Sequence, residues 1–155
     1  MNKFKAKGVV LFAILTALVI AFIWSNSCKS GEASGAQSGA VTRFLQAIMD
    51  PNGSIPEETF HHFVRKTAHF VEFALLGAMV SGLFIGIHLQ TGRRYVSLPV
   101  LMVLLVAVLD EYIQSFTGRG SAVKDVMLDF SGAIFGLGMG LLILYFYRIY
   151  VKTVN

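Results

Sequence analysis

Apolar residues along this chain gather into four long runs, at positions 8–24, 68–89, 96–116 and 126–147. Charged, Gly, Ser and Pro residues collect between them. A bilayer core takes about 20 mostly apolar residues per helix. The pattern therefore predicts an all-α, integral membrane four-helix bundle in a single domain over 1–155. The first run is the shortest, at 17 residues. It still exceeds the roughly 7–15 apolar residues of a cleaved leader, so a retained anchor is expected. Small residues repeat at four-residue spacing in Gly82 and Gly86, and again in Gly132, Gly136 and Gly140. Such spacing lets membrane helices approach closely.

The longest connection covers residues 25–65. Its first part, 25–39, is rich in Ser, Gly and Ala and reads as flexible. In 40–50 the periodicity changes: Val41, Phe44, Leu45 and Ile48 recur at helical spacing. This predicts a short amphipathic helix that lies on the membrane surface or caps the bundle. Pro51-Asn52-Gly53 ends it, and Pro56 with Glu57 and Glu58 has the chemistry of a new helix start. A helix running unbroken over 56–89 would be about 51 Å long. That exceeds the ~30 Å hydrocarbon core, so its first turns must lie outside it.

Composition agrees. Hydrophobic residues make up 55% and charged residues 14%, against about 25% charged in soluble domains. The net charge of +4 would raise nucleic acid as a partner in a soluble protein. Here the cations flank apolar runs and act as topology signals. With the N-terminus inside, the inner segments carry Lys3, Lys5, Lys7, Arg93, Arg94, Arg148 and Lys152 and no acid. The outer segments mix Lys29, Arg43, Arg65, Lys66, Arg119 and Lys124 with acids. Both termini are therefore expected in the cytoplasm. Cys28 stands alone, so no internal disulfide forms. The preceding Ser25-Asn26-Ser27 lacks a lipoprotein pattern. No phosphate loop, zinc spacing or nucleic-acid motif is present.

The ionisable residues of the spans carry the functional signal. His62, Arg65, His69 and Glu72 follow steps of three and four and share one helix face, with Lys66 beside them. Asp110, Glu111 and Gln114 share a face of the third span, and Arg119 follows in the next loop. Asp125 and Asp129 lie one turn apart on the stripe that continues as Gly132, Gly136 and Gly140. The packing side of that helix is thus also its acidic side, which directs both aspartates inward. All three sets fall at one level near the outer face. A charge at bilayer depth costs about 2.5–3.5 kcal/mol on insertion scales, so several together demand partners. His61, His62 and His88 read as interfacial residues.

Three segments then resemble one family taken together: Lys66-Thr67-Ala68-His69-Phe70-Val71-Glu72-Phe73; Asp110-Glu111-Tyr112-Ile113-Gln114-Ser115-Phe116 with Gly118-Arg119; and Asp125-Val126-Met127-Leu128-Asp129 with Gly132 and Gly136. With Ser25-Asn26-Ser27 and Gln37-Ser38, they are similar to the VanZ-like family. The resemblance implies a bacterial cytoplasmic-membrane protein. It also implies a link to teicoplanin resistance, from which the family takes its name. Many members have His where this chain has Ile113, and Pro where it has Thr117. The first departure removes a candidate base or metal ligand.

Three classes of function remain. One is an envelope protein whose outer pocket engages or alters a surface lipid or a lipid-linked wall component. Arg65, Lys66, Gln114, Arg119, Asp125 and Asp129 would be its binding residues, the cations holding phosphate or carboxylate. The second is a membrane-embedded hydrolase or transferase acting on a lipid phosphate or pyrophosphate. His69, Glu72, Asp110 and Glu111 are its candidate catalytic groups: Glu72, Asp110, Glu111, Asp125 and Asp129 suit a divalent cation such as Mg²⁺, or His69, oriented by a carboxylate, suits a general base. The third is a structural ion-pair network alone, since five acids face four cations and His69. Transport is disfavoured, because residues 9–23 and 137–144 carry no charge to continue a polar path.

Overall fold

The computed structural model describes residues 3–120 and 122–154. The side chains of Lys3, Lys5, Arg148 and Lys152, part of the topology count, lie outside the described set. The described chain is all helical: α1 Lys3–Ser27, α2 Gly31–Met49, α3 Glu57–Thr91, α4 Ser97–Phe116 and α5 Val123–Val154. α1, α3, α4 and α5 are each long and apolar enough to cross a membrane. This is a multi-span membrane protein, with α2 as the short joined helix.

The helix ends follow local chemistry. Pro56 is the N-cap of α3, and Glu57 and Glu58 fill its first turn, where the helix dipole favours acids. Gly92 closes α3 in the left-handed conformation (φ 72°), with its N–H donating to the His88 carbonyl; a side chain there would be strained. α3 runs for 35 residues, in agreement with the unbroken helix expected from 56.

Residues 25–39 differ from expectation. α1 continues through Ser27, and α2 already begins at Gly31, so most of the expected flexible stretch is helical. Ser30 caps α2 by accepting from the Ala33 N–H at 3.3 Å, and Glu32 occupies the first turn. Tertiary contact fixes the rest: Ser38 Oγ lies 2.7 Å from His61 Nε2 on α3, and Thr42 is buried. Ser38 holds α2 against α3, whereas a Cβ at Gly35 would have nothing within 4 Å. The amphipathic stretch of α2 is as expected, with Val41, Phe44 and Ile48 more than half exposed on the side away from the protein.

α3 is the central helix, packing chiefly against α5 and α1. A Cβ on Gly136 would overlap the Ala74 carbonyl oxygen, one on Gly132 the Phe70 carbonyl oxygen, and one on Gly77 the Ala133 carbonyl oxygen. Backbone therefore meets backbone along the α3–α5 seam, where small residues are the means of close packing in lipid. Gly82 and Gly86 serve the α1–α3 contact against Phe12 and Val9. The core is formed by Ile23, Phe73, Leu76, Val80, Val103, Val106, Ala107, Ala133 and Leu137. Large apolar side chains such as Leu18, Leu101, Leu105 and Leu141 are about half exposed, as a lipid-facing surface requires.

Candidate functional site at one end of the bundle

Towards one end of the bundle the core stripes change chemistry without changing direction. On α4, Val103, Val106 and Ala107 give way to Asp110, Glu111 and Gln114, all buried. On α5, Leu137 and Ala133 lead back to Asp129, also buried. On α3, Leu76 and Phe73 lead back to Glu72 and His69. The periodicity that builds the core thus delivers polar groups from three helices to one place. Asp110 lies six residues before Phe116, or about 9 Å inside the helix end.

Asp110 is fully buried and held by two donors. Ser27 Oγ donates to Oδ1 at 2.6 Å, and Gln114 Nε2 donates to Oδ2 at 2.7 Å. Ser27 comes from the last turn of α1, so a fourth helix enters the site. Its own carbonyl accepts from Thr117 Oγ1 at 3.2 Å. Asn26 accepts at its carbonyl from Arg119 Nη2 at 3.2 Å, and its amide donates to Glu72 Oε1 at 3.5 Å. Glu111 turns to the α4–α5 connection, where Oε1 accepts from the Ala122 N–H at 2.8 Å.

His69 Nδ1 lies 3.5 Å from Asp129 Oδ1. Asp129 Oδ2 is buried and has no hydrogen-bond partner among the described residues. A donor atom each from His69, Asp110 and Asp129 falls within 4.8 Å of the others. Glu72, Glu111 and Asp125 are outside that group, so the five acids expected around a divalent cation do not converge as one set. Asp125 lines the same cavity as His69 and Asp129. It is half-buried at the rim and pairs with Lys66 Nζ at 3.2 Å.

The two arginines behave differently from the expected network. Arg65 forms no hydrogen bond or ion pair with any described residue, and Arg119 forms no ion pair with a carboxylate. Arg119 is nine-tenths buried, and its Nε has no hydrogen-bond partner among the described residues. Burial, followed by the neighbouring Arg65 guanidinium, lowers the Arg119 pKa from its ordinary value. Among the described residues, only Lys66–Asp125 and His69–Asp129 meet as ion pairs. A closed network of matched charges is not what the residues form.

Two cavities open beside these groups. One, of about 210 Å³, is lined by His62, Arg65, Lys66, His69, Asp125 and Asp129, with Glu111 at its wall. The other, of about 180 Å³, is lined by Asn26, Lys29, Arg65, His69, Glu72 and Arg119. Arg65 and His69 border both. All the expected site residues therefore gather at one end of the bundle, with Gln114 acting inside through Asp110 rather than at a cavity wall. Asn26, Ser27 and Ser38 were given no role from sequence. Their only signal was membership of the segments that carried the family resemblance.

The sequence profile described as VanZ/LLP1 matches residues 12–146. No curated protein and no solved structure matches the chain.

Proposed function

The chain belongs to the VanZ/LLP1 family, and from that premise we propose that it is a cell-envelope protein whose charged cavities bind an anionic head group. The ligand is the phosphate of a surface lipid or of a lipid-linked wall component. One observation carries this reading: Arg65 and Arg119 are neighbours at the cavity wall and neither is matched by a carboxylate. Two adjacent guanidiniums are relieved by an anion between them, and their planar donors suit phosphate oxygens. The cavities lie at the end of the bundle, where a head group is within reach. Placement on the outer leaflet rests on the charge count along the sequence. The VanZ-like resemblance adds a contribution to teicoplanin resistance, and outer-leaflet placement is compatible with it, because changing a surface lipid changes what a membrane-proximal glycopeptide meets.

Native mass spectrometry of the full chain in detergent, titrated with phosphatidylglycerol, a polyprenyl phosphate or a neutral diacylglycerol, tests the reading. Phosphate-bearing lipids should bind at least about tenfold more tightly than the neutral one. Arg65→Gln with Arg119→Gln should remove most of that preference. Equal binding of all three lipids, or a preference that survives in the double variant, refutes it. Teicoplanin susceptibility of cells carrying Asp110→Asn or Glu111→Gln at normal membrane abundance tests the resistance role.

A second reading is a hydrolase or transferase acting on the same lipid phosphate or pyrophosphate. The convergence of His69, Asp110 and Asp129 beside the arginine-lined cavity favours it, since those groups suit activation of water next to a bound phosphate. Phosphate release from a polyprenyl pyrophosphate, absent in Asp129→Asn, separates this reading from binding alone.

A further inference from the structure

We infer that His69, Asp110 and Asp129 form a binding site for one divalent first-row transition ion, such as Mn²⁺ or Zn²⁺, on the floor of the charged cavity. One donor atom from each residue lies within 4.8 Å of the others. His69 Nδ1 and Asp129 Oδ1 are 3.5 Å apart, at the long limit of hydrogen bonding. Two ligands about 2.1 Å from a common ion at a tetrahedral angle stand roughly 3.4 Å apart. The observed spacing fits a shared ion better than a direct bond.

An independent observation points the same way. Asp129 is buried, and its Oδ2 has no hydrogen-bond partner among the described residues. A buried carboxylate oxygen without a partner is costly, and a cation beside it removes that cost. Charge agrees: two aspartates contribute two negative charges, which one divalent ion cancels at membrane depth.

The surroundings are those of a ligand set. Ser27 and Gln114 each donate to one oxygen of Asp110 and fix its orientation, while each oxygen keeps a further lone pair. One imidazole with two carboxylates suits Mn²⁺ or Zn²⁺ better than Mg²⁺, which favours oxygen ligands and retained water. Three protein ligands leave a position open, and His69 and Asp129 both border the cavity that Arg65 lines. A phosphate oxygen fits that position while Arg65 takes another. The ion site stands on its own geometry; only this last assignment rests on the head-group reading.

The test uses the full chain in lipid nanodiscs, stripped with chelator and then given Mn²⁺ alone. Electron paramagnetic resonance of free Mn²⁺ counts the bound ion, and electron spin-echo modulation detects a coordinated nitrogen. We expect one ion per chain with nitrogen coupling. His69→Gln should abolish the coupling. Asp129→Asn should weaken binding at least about tenfold, and Gln114→Ala about tenfold through Asp110. Glu58→Gln, at an exposed acid in the first turn of α3, should leave binding unchanged. The wild type alone can overturn the proposal, whether or not the variants fold. No bound Mn²⁺ up to about 1 mM, or bound Mn²⁺ without nitrogen coupling, does so. Coupling that persists in His69→Gln, or equal weakening in Glu58→Gln and Asp129→Asn, does so too. Lipid titration of the same metal-free protein separates the two claims: ion binding without phosphate-lipid preference leaves the ion site and removes the head-group reading, and the reverse result does the opposite.

Discussion

Gly136→Ala and Gly138→Ala are the same chemical change two residues apart on α5, and they should act in opposite directions. At Gly136 the added methyl falls on the Ala74 carbonyl oxygen and the Ala78 N of α3. Both obstacles are backbone, so no side chain can swing aside and the helices must separate. Overpacking costs about 1–3 kcal/mol where side chains can adjust; a backbone clash belongs at the upper end, about 3. Separation also loosens Gly77 against Ala133 and Gly132 against Phe70, since gaps of 0.5–1 Å forfeit a quarter to a half of each contact. At Gly138 nothing lies within 4 Å of the new methyl. There only helix propensity remains, and it favours Ala by up to about 1 kcal/mol. The two variants should differ by about 4 kcal/mol, close to a thousandfold in the unfolding equilibrium. Reversible unfolding in mixed micelles, followed by circular dichroism against the mole fraction of denaturing detergent, measures this. Gly136→Ala within about 0.5 kcal/mol of wild type, the usual range for featureless surface sites, would refute the backbone-to-backbone seam.

Three further outcomes are expected. Ser27→Ala removes one of the two donors to buried Asp110 and should destabilise the bundle by about 1.5–3 kcal/mol in the same unfolding assay; Cys28→Ala, at an exposed neighbour, should change little. His61→Ala breaks the Ser38 contact that ties α2 to α3, so limited proteolysis should cut within α2 at least several-fold faster, while the four spans keep their protection. Asp50 accepts from the N–H groups of Ile55 at 2.7 Å and Ser54 at 2.9 Å, and these bonds lower its pKa from the ordinary 3.8. A lowered folded-state pKa means the contribution is present above about pH 3.9 and is lost as pH falls below it. Amide exchange at Ser54 and Ile55, corrected for intrinsic rate, should therefore speed up below pH 4 and stay constant above it; Asp50→Asn should remove that pH dependence.

The spans were legible because a run of about 20 apolar residues has few alternatives to crossing a bilayer. The α3–α5 seam was legible in part, since Gly132, Gly136 and Gly140 define one stripe, but its counterpart Gly77 belongs to no repeated spacing. Residues 25–39 misled because helix-favouring Ala is interleaved there with Gly and Ser, which favour turns and caps. Their helix is decided by contacts such as Ser38 with His61, which the sequence does not display. Asp110, Glu111 and Asp129 stood out because an ionisable side chain in a span has few harmless places to be. Asn26 and Ser27 did not, because small polar residues after a membrane helix are ordinary, and nothing in their spacing foretells that Ser27 reaches Asp110 across 83 positions. The charge tally misled in a different way. Counting acids and cations suggested a balanced network, but balance in number carries no geometry, and Arg119 spends its contact on the Asn26 carbonyl.

That geometry divides the site. On one side stand two aspartates, buried side by side, with one oxygen of Asp129 unbonded. On the other stand two arginines, adjacent and without carboxylate partners. Had the bundle evolved only to neutralise its charges, joining these halves would have been the direct solution, and Asp129 paired with Arg119 would have left neither orphaned. Instead His69 stands beside Asp129, and both cavities lie between imidazole and guanidinium. Keeping unlike charges apart costs stability unless something else occupies the space between them. A species that is anionic towards Arg65 and Arg119, with a cation beneath it at Asp110 and Asp129, satisfies both halves at once. A head-group phosphate over a divalent ion has that order of charges, which is why the two proposals meet at His69 and Arg65.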